Sequence, residues 1–167
     1  MKVLQILSKE GIDLIEISGG TYEKPAMVGI KQKKSTKKRE AYFLDYIDKA
    51  RKITNKPLML TGGFRSARIM EQALIEDKLD IIGLARPYCL YTNLAKDILS
   101  GKLKYINTPI PSSGIKILDK LGGVELPWYE LQIHRIGEGK KPNKELSGLA
   151  AFIFILKNII FKSFIKN

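Results

Sequence analysis

Short apolar runs alternate with segments of helical periodicity over the first hundred residues. The runs at residues 12–18, 57–61 and 79–85 are short and continuously apolar, which predicts three buried strands. Apolar side chains recur at three- and four-residue spacing around these runs, which predicts four helices. Strict alternation of helix and strand is typical of a parallel sheet with helices outside it. The residues on the predicted helix faces are Val3, Leu4, Ile6 and Leu7; Phe43, Leu44, Ile47 and Ala50; Ile69, Met70, Ala73 and Leu74; and Leu90, Leu94 and Ile98.

Residues with known capping preferences mark several helix ends. Gly11 and Gly101 follow the first and fourth helices, where glycine readily adopts the conformation that ends a helix. Ser66 is expected to cap the third helix, and Pro87 suits the first turn of the fourth. Residues 21–38 form a long segment between elements, which makes them a candidate functional loop.

The pattern changes after Gly101. Residues 105–125 are rich in proline and glycine and predict loops, whereas PWYELQIHRIGEGKKP predicts a short helix followed by a turn. The apolar tail predicts a helix that packs on its own domain; the alternative is an interfacial membrane helix with Lys157, Lys162 and Lys166 toward headgroups. We therefore divide the chain into residues 1–104, an extension of residues 105–145, and a tail helix of residues 146–167.

Charge, apolar content and cysteine content limit the classes of protein to which the chain can belong. The formal net charge of the 167 residues is +12, and its one concentrated source is KQKKSTKKR at residues 31–39, interpreted as a solvated loop with a polyanion site as the alternative. No apolar stretch is long enough for a spanning helix, and the N-terminus is too polar for a signal peptide. Cys89 is the single cysteine, so the chain has no internal disulfide or cysteine-built metal site. These features predict a cytoplasmic protein without a metal centre.

Two neighbouring strand ends carry residues suited to an anion. Gly62 and Gly63 follow the second strand, and Ala85 and Arg86 follow the third. Ligands of parallel α/β folds lie at the carboxyl ends of the strands, where glycine exposes backbone N–H groups and arginine can bind phosphate bidentately. The alternative is a tight turn beside a surface cation. Two other reactive residues are interpreted as structural: His134, and Cys89, expected to be buried in the fourth helix.

The strands also repeat one another. GIDLIEISGG and KLDIIGLARP share an aspartate before the strand and a tight turn after it, which favours a (β/α) barrel over an open sheet. The ordered set LMLTGGFRS, DIIGLARP, GGTYEKPAM with STKKREAYFLDY, and WYELQIHRIGEGKKP resembles the Old Yellow Enzyme family of NADH:flavin oxidoreductases, from about Gly11 to Pro142. The resemblance implies an α/β chain that forms part of a (β/α)8 TIM barrel, about strands six to eight, with a C-terminal helical extension.

The same resemblance implies a flavoprotein. In that family FMN takes a hydride from NADH or NADPH and passes it to an activated alkene or a similar small-molecule acceptor. Gly62, Gly63, Phe64, Ala85 and Arg86 match the residues around the FMN phosphate, whereas no catalytic residue is assigned. The family's early strands and its substrate-anchoring His-His or His-Asn pair have no counterpart here. We therefore expect a truncated or split oxidoreductase whose exposed strand edge needs self-association or a chain that supplies the missing half.

Two other functions fit parts of the pattern. A phosphate-binding TIM-barrel isomerase or lyase would need a base at a strand end, but no lysine or glutamate is in place there as an obvious base, and the role of Glu16 in the first strand is open. A non-enzymatic basic module would bind nucleic acid or a membrane surface through residues 31–39 or the tail, and its binding would weaken steeply with salt. The flavin hypothesis includes no nucleic-acid partner.

Overall fold

The computed structural model describes residues 1–18, 44–120 and 124–165. It divides into two compact units, the first containing residues 1–18, 44–85 and 93–107, and the second residues 86–92, 108–120 and 124–165. The candidate loop at residues 21–38, the basic run at residues 31–39 and Phe43 lie outside the described residues.

The first unit is an α/β arrangement around a three-stranded parallel sheet. The strand order is β1-β2-β3, with β2 paired on both sides. This confirms the predicted parallel sheet, although each strand is shorter than its apolar run. The elements are α1 (Lys2–Leu7), β1 (Ile15–Ser18), α2 (Leu44–Arg51), β2 (Leu58–Thr61), α3 (Ala67–Ile75), β3 (Ile81–Gly83) and α4 (Leu94–Leu99).

The two faces of the sheet differ in burial. Leu58 and Leu60 of β2 are fully buried and pair with Ile15 and Ile17 of β1. On the other face of β1, Glu16 is exposed, so the prediction of a strand buried on both faces is wrong there. Alternation of burial along β1 has a simple cause, because successive side chains of a strand point to opposite faces. The remaining core of the unit includes Ile47, Ala50, Phe64, Met70, Ala73, Leu79, Leu94 and Ile106.

The prediction of one helix from Pro87 to Ile98 is wrong. A 3₁₀ helix (Arg86–Cys89) belongs to the second unit, and α4 begins separately in the first unit after Asn93 as its N-cap residue. Leu90 is buried in the second unit and Leu94 in the first, so helical spacing did not require a continuous helix. Asparagine is a favoured N-cap residue, although the Asn93 side chain makes no capping hydrogen bond here.

Other helix predictions need smaller corrections. Gly101 follows α4 at φ +72°, as expected for a helix-ending glycine. Ser66 takes the N-cap position of α3 in an extended conformation but makes no side-chain capping hydrogen bond. The helix α1 ends at the C-cap residue Ser8, before Gly11, and buries only Leu4 of its predicted face. In α3, the predicted core residue Leu74 is exposed.

The second unit is helical in its described part. After the 3₁₀ helix it contains α5 (Lys116–Lys120), α6 (Glu125–Gly137) and α7 (Gly148–Ile165). Leu90, Trp128, Tyr129 and Ala151 form its buried apolar cluster. Helix α5 was not predicted, and α6 begins two residues before Pro127 and is longer than expected. None of the described helices is long and apolar enough to cross a membrane.

Polar side chains of α6 hold the segment that leads into α7. The fully buried Gln132 donates through Nε2 to the carbonyl oxygen of Asn143 at 2.9 Å and accepts from the Asn143 N–H at 2.7 Å. Trp128 donates through Nε1 to the carbonyl oxygen of Leu146 at 2.7 Å. The chain after α6 is thus fixed by satisfied buried polar groups, which are costly to leave unpaired.

Asp80, just before β3, links three parts of the first unit. Its Oδ2 atom accepts from Arg51 Nη2 at 2.6 Å and from the Leu58 N–H at 2.8 Å. The hydrogen bond from Arg51, followed by that from Leu58, lowers the pKa of Asp80 from its ordinary value of 3.8. A lowered folded-state pKa contributes stability above the unfolded-state value, and that stability is lost as the pH falls through the folded-state pKa.

We expect Asp80→Asn to lower the free energy of unfolding at neutral pH by about 1 kcal/mol, from weakened hydrogen bonds. The carboxylate is 42% exposed, so solvent screening keeps the purely ionic contribution small. Urea unfolding as a function of pH should show the wild type and the variant converging below the ordinary Asp80 value of 3.8. A constant difference down to strongly acidic pH would contradict this assignment.

Gly83 gives a second test, of packing within the sheet. A Cβ atom at Gly83 would overlap Thr61 Oγ1 and lie 2.8 Å from Met59 Cε. Gly83→Ala should therefore destabilise the protein by about 1–3 kcal/mol, the usual cost of overpacking, measured as a lower denaturation midpoint. Gly11→Ala is the matched control, since a Cβ atom there meets nothing within 4 Å. Equal stability of the two variants would disprove the close contact.

Candidate functional site

The parallel register brings the glycine pair and the end of β3 to one edge of the sheet. Thr61, the last residue of β2, pairs with Gly83, the last residue of β3. Gly62 and Gly63 follow β2 directly, and Ala85 lies two residues beyond β3. Within the first unit, the structure therefore places the two predicted strand ends side by side, as the sequence interpretation required.

The backbone at the glycine pair is one that only glycine adopts readily. Gly62 has φ +117° and Gly63 has φ +83°, both in the region where a Cβ atom causes strain. A Cβ atom at Gly62 would have no neighbour within 4 Å. Among the residues that the structure describes, space rather than a packed side chain therefore lies beside Gly62.

The chain after the glycines is anchored firmly. Phe64 is fully buried, so its side chain belongs to the core and only its main chain could contact a ligand. The Ile106 N–H donates to the carbonyl oxygen of Arg65 at 2.7 Å, and Ser66 forms an antiparallel bridge with Tyr105. The turn at Gly62 and Gly63 is thus held at one end by β2 and at the other by a buried aromatic side chain.

Thr61 is a residue at this edge that the sequence analysis did not single out. Its Oγ1 atom is buried and has no hydrogen-bond partner within the described ranges. An unsatisfied buried hydroxyl costs free energy, so this atom is suited to meet a further polar group. The signal was present in the motif LMLTGG, where a threonine ends an otherwise apolar run.

Arg86 opens the second unit, and its environment is described there. Its Nη1 atom forms an ion pair with Oε1 of Glu125. The Glu125 side chain is 8% exposed and the Arg86 side chain 37% exposed, so the carboxylate is buried and the guanidinium reaches solvent. Across the described ranges no other group pairs with Arg86, which leaves several of its N–H donors for a ligand.

Glu125 was missed by the sequence analysis. The sequence pattern predicts a helix from Pro127, whereas α6 starts at Glu125 and carries this carboxylate in its first turn. A carboxylate at a helix N-terminus is stabilised by the helix dipole. Proline within the first turn is compatible with the helix, since the N–H groups there have no intrahelical acceptor. The pattern of an acidic residue shortly before a proline could have extended the predicted helix.

The two residues interpreted as structural take no part in this arrangement. Cys89 lies in the 3₁₀ helix instead of a longer helix and is half-buried, and burial raises the pKa of its thiol, which disfavours a nucleophilic thiolate. The His134 ring packs edge-on against Phe154 at 5.0 Å between ring centres, and its Nε2 lies 3.9 Å from Glu130 Oε1. In the described part of the chain, no group of three or more potential metal ligands occurs.

Each unit, taken by itself, carries groups of a kind that anions bind. Glycine main chain at a strand end and an arginine with open donors are both suited to phosphate.

Proteins with similar sequences share one name. The chain is 40% identical over 121 residues to NADH-dependent flavin oxidoreductase iccE of Talaromyces variabilis, covering 64% of this chain and 29% of that protein.

Two further relatives extend the match. NADH-dependent flavin oxidoreductase nadA of Aspergillus parasiticus is 37% identical over 138 residues, which are 81% of this chain and 29% of that protein. NADH-dependent flavin oxidoreductase iliE of Neonectria sp. is 33% identical over 140 residues, which are 78% of this chain and 18% of that protein. The chain thus spans less than a third of the length of these curated relatives. No protein-family profile matches it.

These matches confirm the resemblance found in the sequence motifs. The chain is similar to the C-terminal part of the NADH-dependent flavin oxidoreductases, an Old Yellow Enzyme-like family. The sheet is compatible with part of a TIM barrel.

The glycine pair yields a test that separates strain from crowding. Gly62→Ala should lower the free energy of unfolding by about 1–3 kcal/mol, because φ +117° is unfavourable for alanine although the space is open. Gly137→Ala is the control, since its Cβ atom would also meet nothing within 4 Å and its φ is not positive. Denaturation midpoints that fall equally in both variants, or in neither, would contradict the strain argument.

Proposed function

We propose that this chain is part of an FMN-dependent oxidoreductase that transfers a hydride from NADH or NADPH to an activated alkene or a similar acceptor. The observation that carries the proposal is its 33–40% identity to four curated proteins that share the name NADH-dependent flavin oxidoreductase. Those names specify NADH and a flavin. FMN, the acceptor and the partial barrel of strands six to eight come from the motif resemblance and are parts of the proposal.

We assign five residues to the FMN phosphate: Gly62, Gly63, Phe64, Ala85 and Arg86. The conformation of Gly62 and the open space beside it suit main-chain N–H groups that approach a phosphate. Phe64 would contribute through its main chain, because its side chain is buried. Arg86 would contribute guanidinium donors that Glu125 does not use. Gly62, Phe64 and Arg86 thus each have a property that fits an anionic group.

The protein's own share of the chemistry follows from these properties. When bound, FMN would supply the hydride acceptor and donor for the reaction. The glycine main chain and Arg86 would bind the phosphate and so fix the position of the cofactor, which is a large part of what a protein contributes to cofactor chemistry. No described residue is assigned to proton transfer.

The surface of the first unit supports a proposal about assembly. Within the described residues, β1 pairs with β2 on one side only, and α1 exposes Val3, Ile6 and Leu7. An open strand edge and exposed apolar side chains each favour association with another chain. We propose that a second copy, or a chain supplying the rest of the barrel, covers this surface. A cytoplasmic location, predicted from the single cysteine, is retained as part of the proposal.

The flavin spectrum tests the proposal directly. The purified chain, mixed with FMN and desalted, should retain visible flavin absorbance. Arg86→Ala should lower FMN affinity by about 1.5–3 kcal/mol, the value of a hydrogen bond to a charged group. The control is Arg68→Ala, which removes an exposed arginine of α3 and should leave affinity unchanged. A colourless wild-type protein would contradict flavin binding by this chain, and unchanged affinity in Arg86→Ala would contradict the phosphate assignment.

A further inference from the structure

Glu125 is a buried carboxylate to which the proposed function gives no role. We infer that Glu125 is a positioning residue that holds the Arg86 guanidinium in the orientation that binds the FMN phosphate. This inference rests on the proposed function, because it assumes that Arg86 contacts that phosphate. Glu125 itself would not touch the cofactor.

The geometry of the ion pair supports this role. Arg86 uses Nη1 for Glu125, while its remaining donors have no partner within the described ranges. A guanidinium has five N–H donors in a planar fork, so one edge can be held by a carboxylate while another binds phosphate. The 8% exposed carboxylate and the 37% exposed guanidinium fit this division, with one edge facing the protein and another facing solvent.

Stability alone does not account for the pair. Helices α6 and α7 and the residue after the 3₁₀ helix already form a buried apolar cluster of Leu90, Trp128, Tyr129 and Ala151, against which Cys89 of the 3₁₀ helix packs. Replacing a buried ion pair by apolar side chains is often neutral or stabilising, since burying charge costs solvation. An apolar residue at position 125 would therefore serve packing as well as glutamate. What glutamate adds is a fixed acceptor for Arg86.

Orientation and charge predict opposite effects on affinity. A carboxylate close to a phosphate repels it, so if charge alone mattered, removing Glu125 would tighten FMN binding. If Glu125 orients Arg86, its removal frees a flexible side chain that must be ordered on binding, and affinity falls. Ordering one such side chain corresponds to about a two- to tenfold change in affinity. The sign of the change therefore decides between the two effects.

The test compares FMN with riboflavin, which lacks the phosphate. Dissociation constants come from quenching of flavin fluorescence by the whole chain. Glu125→Leu removes the acceptor and keeps an apolar volume, and it should weaken FMN binding about two- to tenfold while leaving riboflavin binding unchanged. Glu125→Gln keeps an acceptor for Arg86 and should restore FMN binding to the wild-type level or better. Should the leucine variant fail to fold, Glu125→Ala provides the same comparison.

A double-mutant cycle distinguishes this inference from the proposed function. In the Arg86→Ala background, Glu125→Leu should have no further effect on FMN affinity, because the positioned group is absent. Equal loss of FMN and riboflavin, tighter FMN binding, or an undiminished effect in that background would overturn the positioning role. If Arg86→Ala weakens FMN binding but Glu125→Leu does not, only the inference fails. If Arg86→Ala has no effect, or the wild-type chain binds no FMN, both fail.

Discussion

Parallel pairing of β2 with a strand on each side sets the geometry of the first unit. Leu58 and Leu60 are fully buried, so the strand cannot slip by one residue without moving its apolar side chains to the other face. The same register aligns Thr61 with Gly83, and only a residue without a Cβ atom fits beside the Thr61 hydroxyl. The strand ends that carry the candidate site are therefore adjacent as a consequence of core packing.

In the described part of the second unit, buried polar side chains have hydrogen-bond or ion-pair partners. Gln132 and Trp128 satisfy main-chain groups of the segment that follows α6, and Glu125 meets Arg86. The first two contacts fix the path of the chain, and each side chain in them is enclosed by protein. Glu125 differs because its partner remains partly open to solvent. The Arg86 side chain therefore reaches solvent while the buried Glu125 carboxylate holds it on the other side.

The sequence predicts which helices and strands exist better than it predicts the residues at which they begin and end. Apolar runs located all three strands and their parallel arrangement, because burial of a central strand leaves a strong local signal. The sequence pattern could not show that Leu90 and Leu94 belong to different units, because both residues fit the spacing of one helical face. The motif analysis identified Arg86 from its place after a strand, yet its partner Glu125 lies 39 positions away in sequence. Pairing at that distance leaves no local pattern, so Glu125 emerged only from the fold.

The glycine pair and the arginine differ in how far they point to a function. Phe64 must return to the core directly after β2, and this alone demands a sharp turn at Gly62 and Gly63. The glycines would therefore be present even if no ligand bound there. Packing alone does not explain the Arg86–Glu125 pair, because apolar side chains often replace a buried ion pair without loss of stability. A feature that packing does not require is the better evidence for binding, so the proposed phosphate site depends more on Arg86 than on the glycine pair.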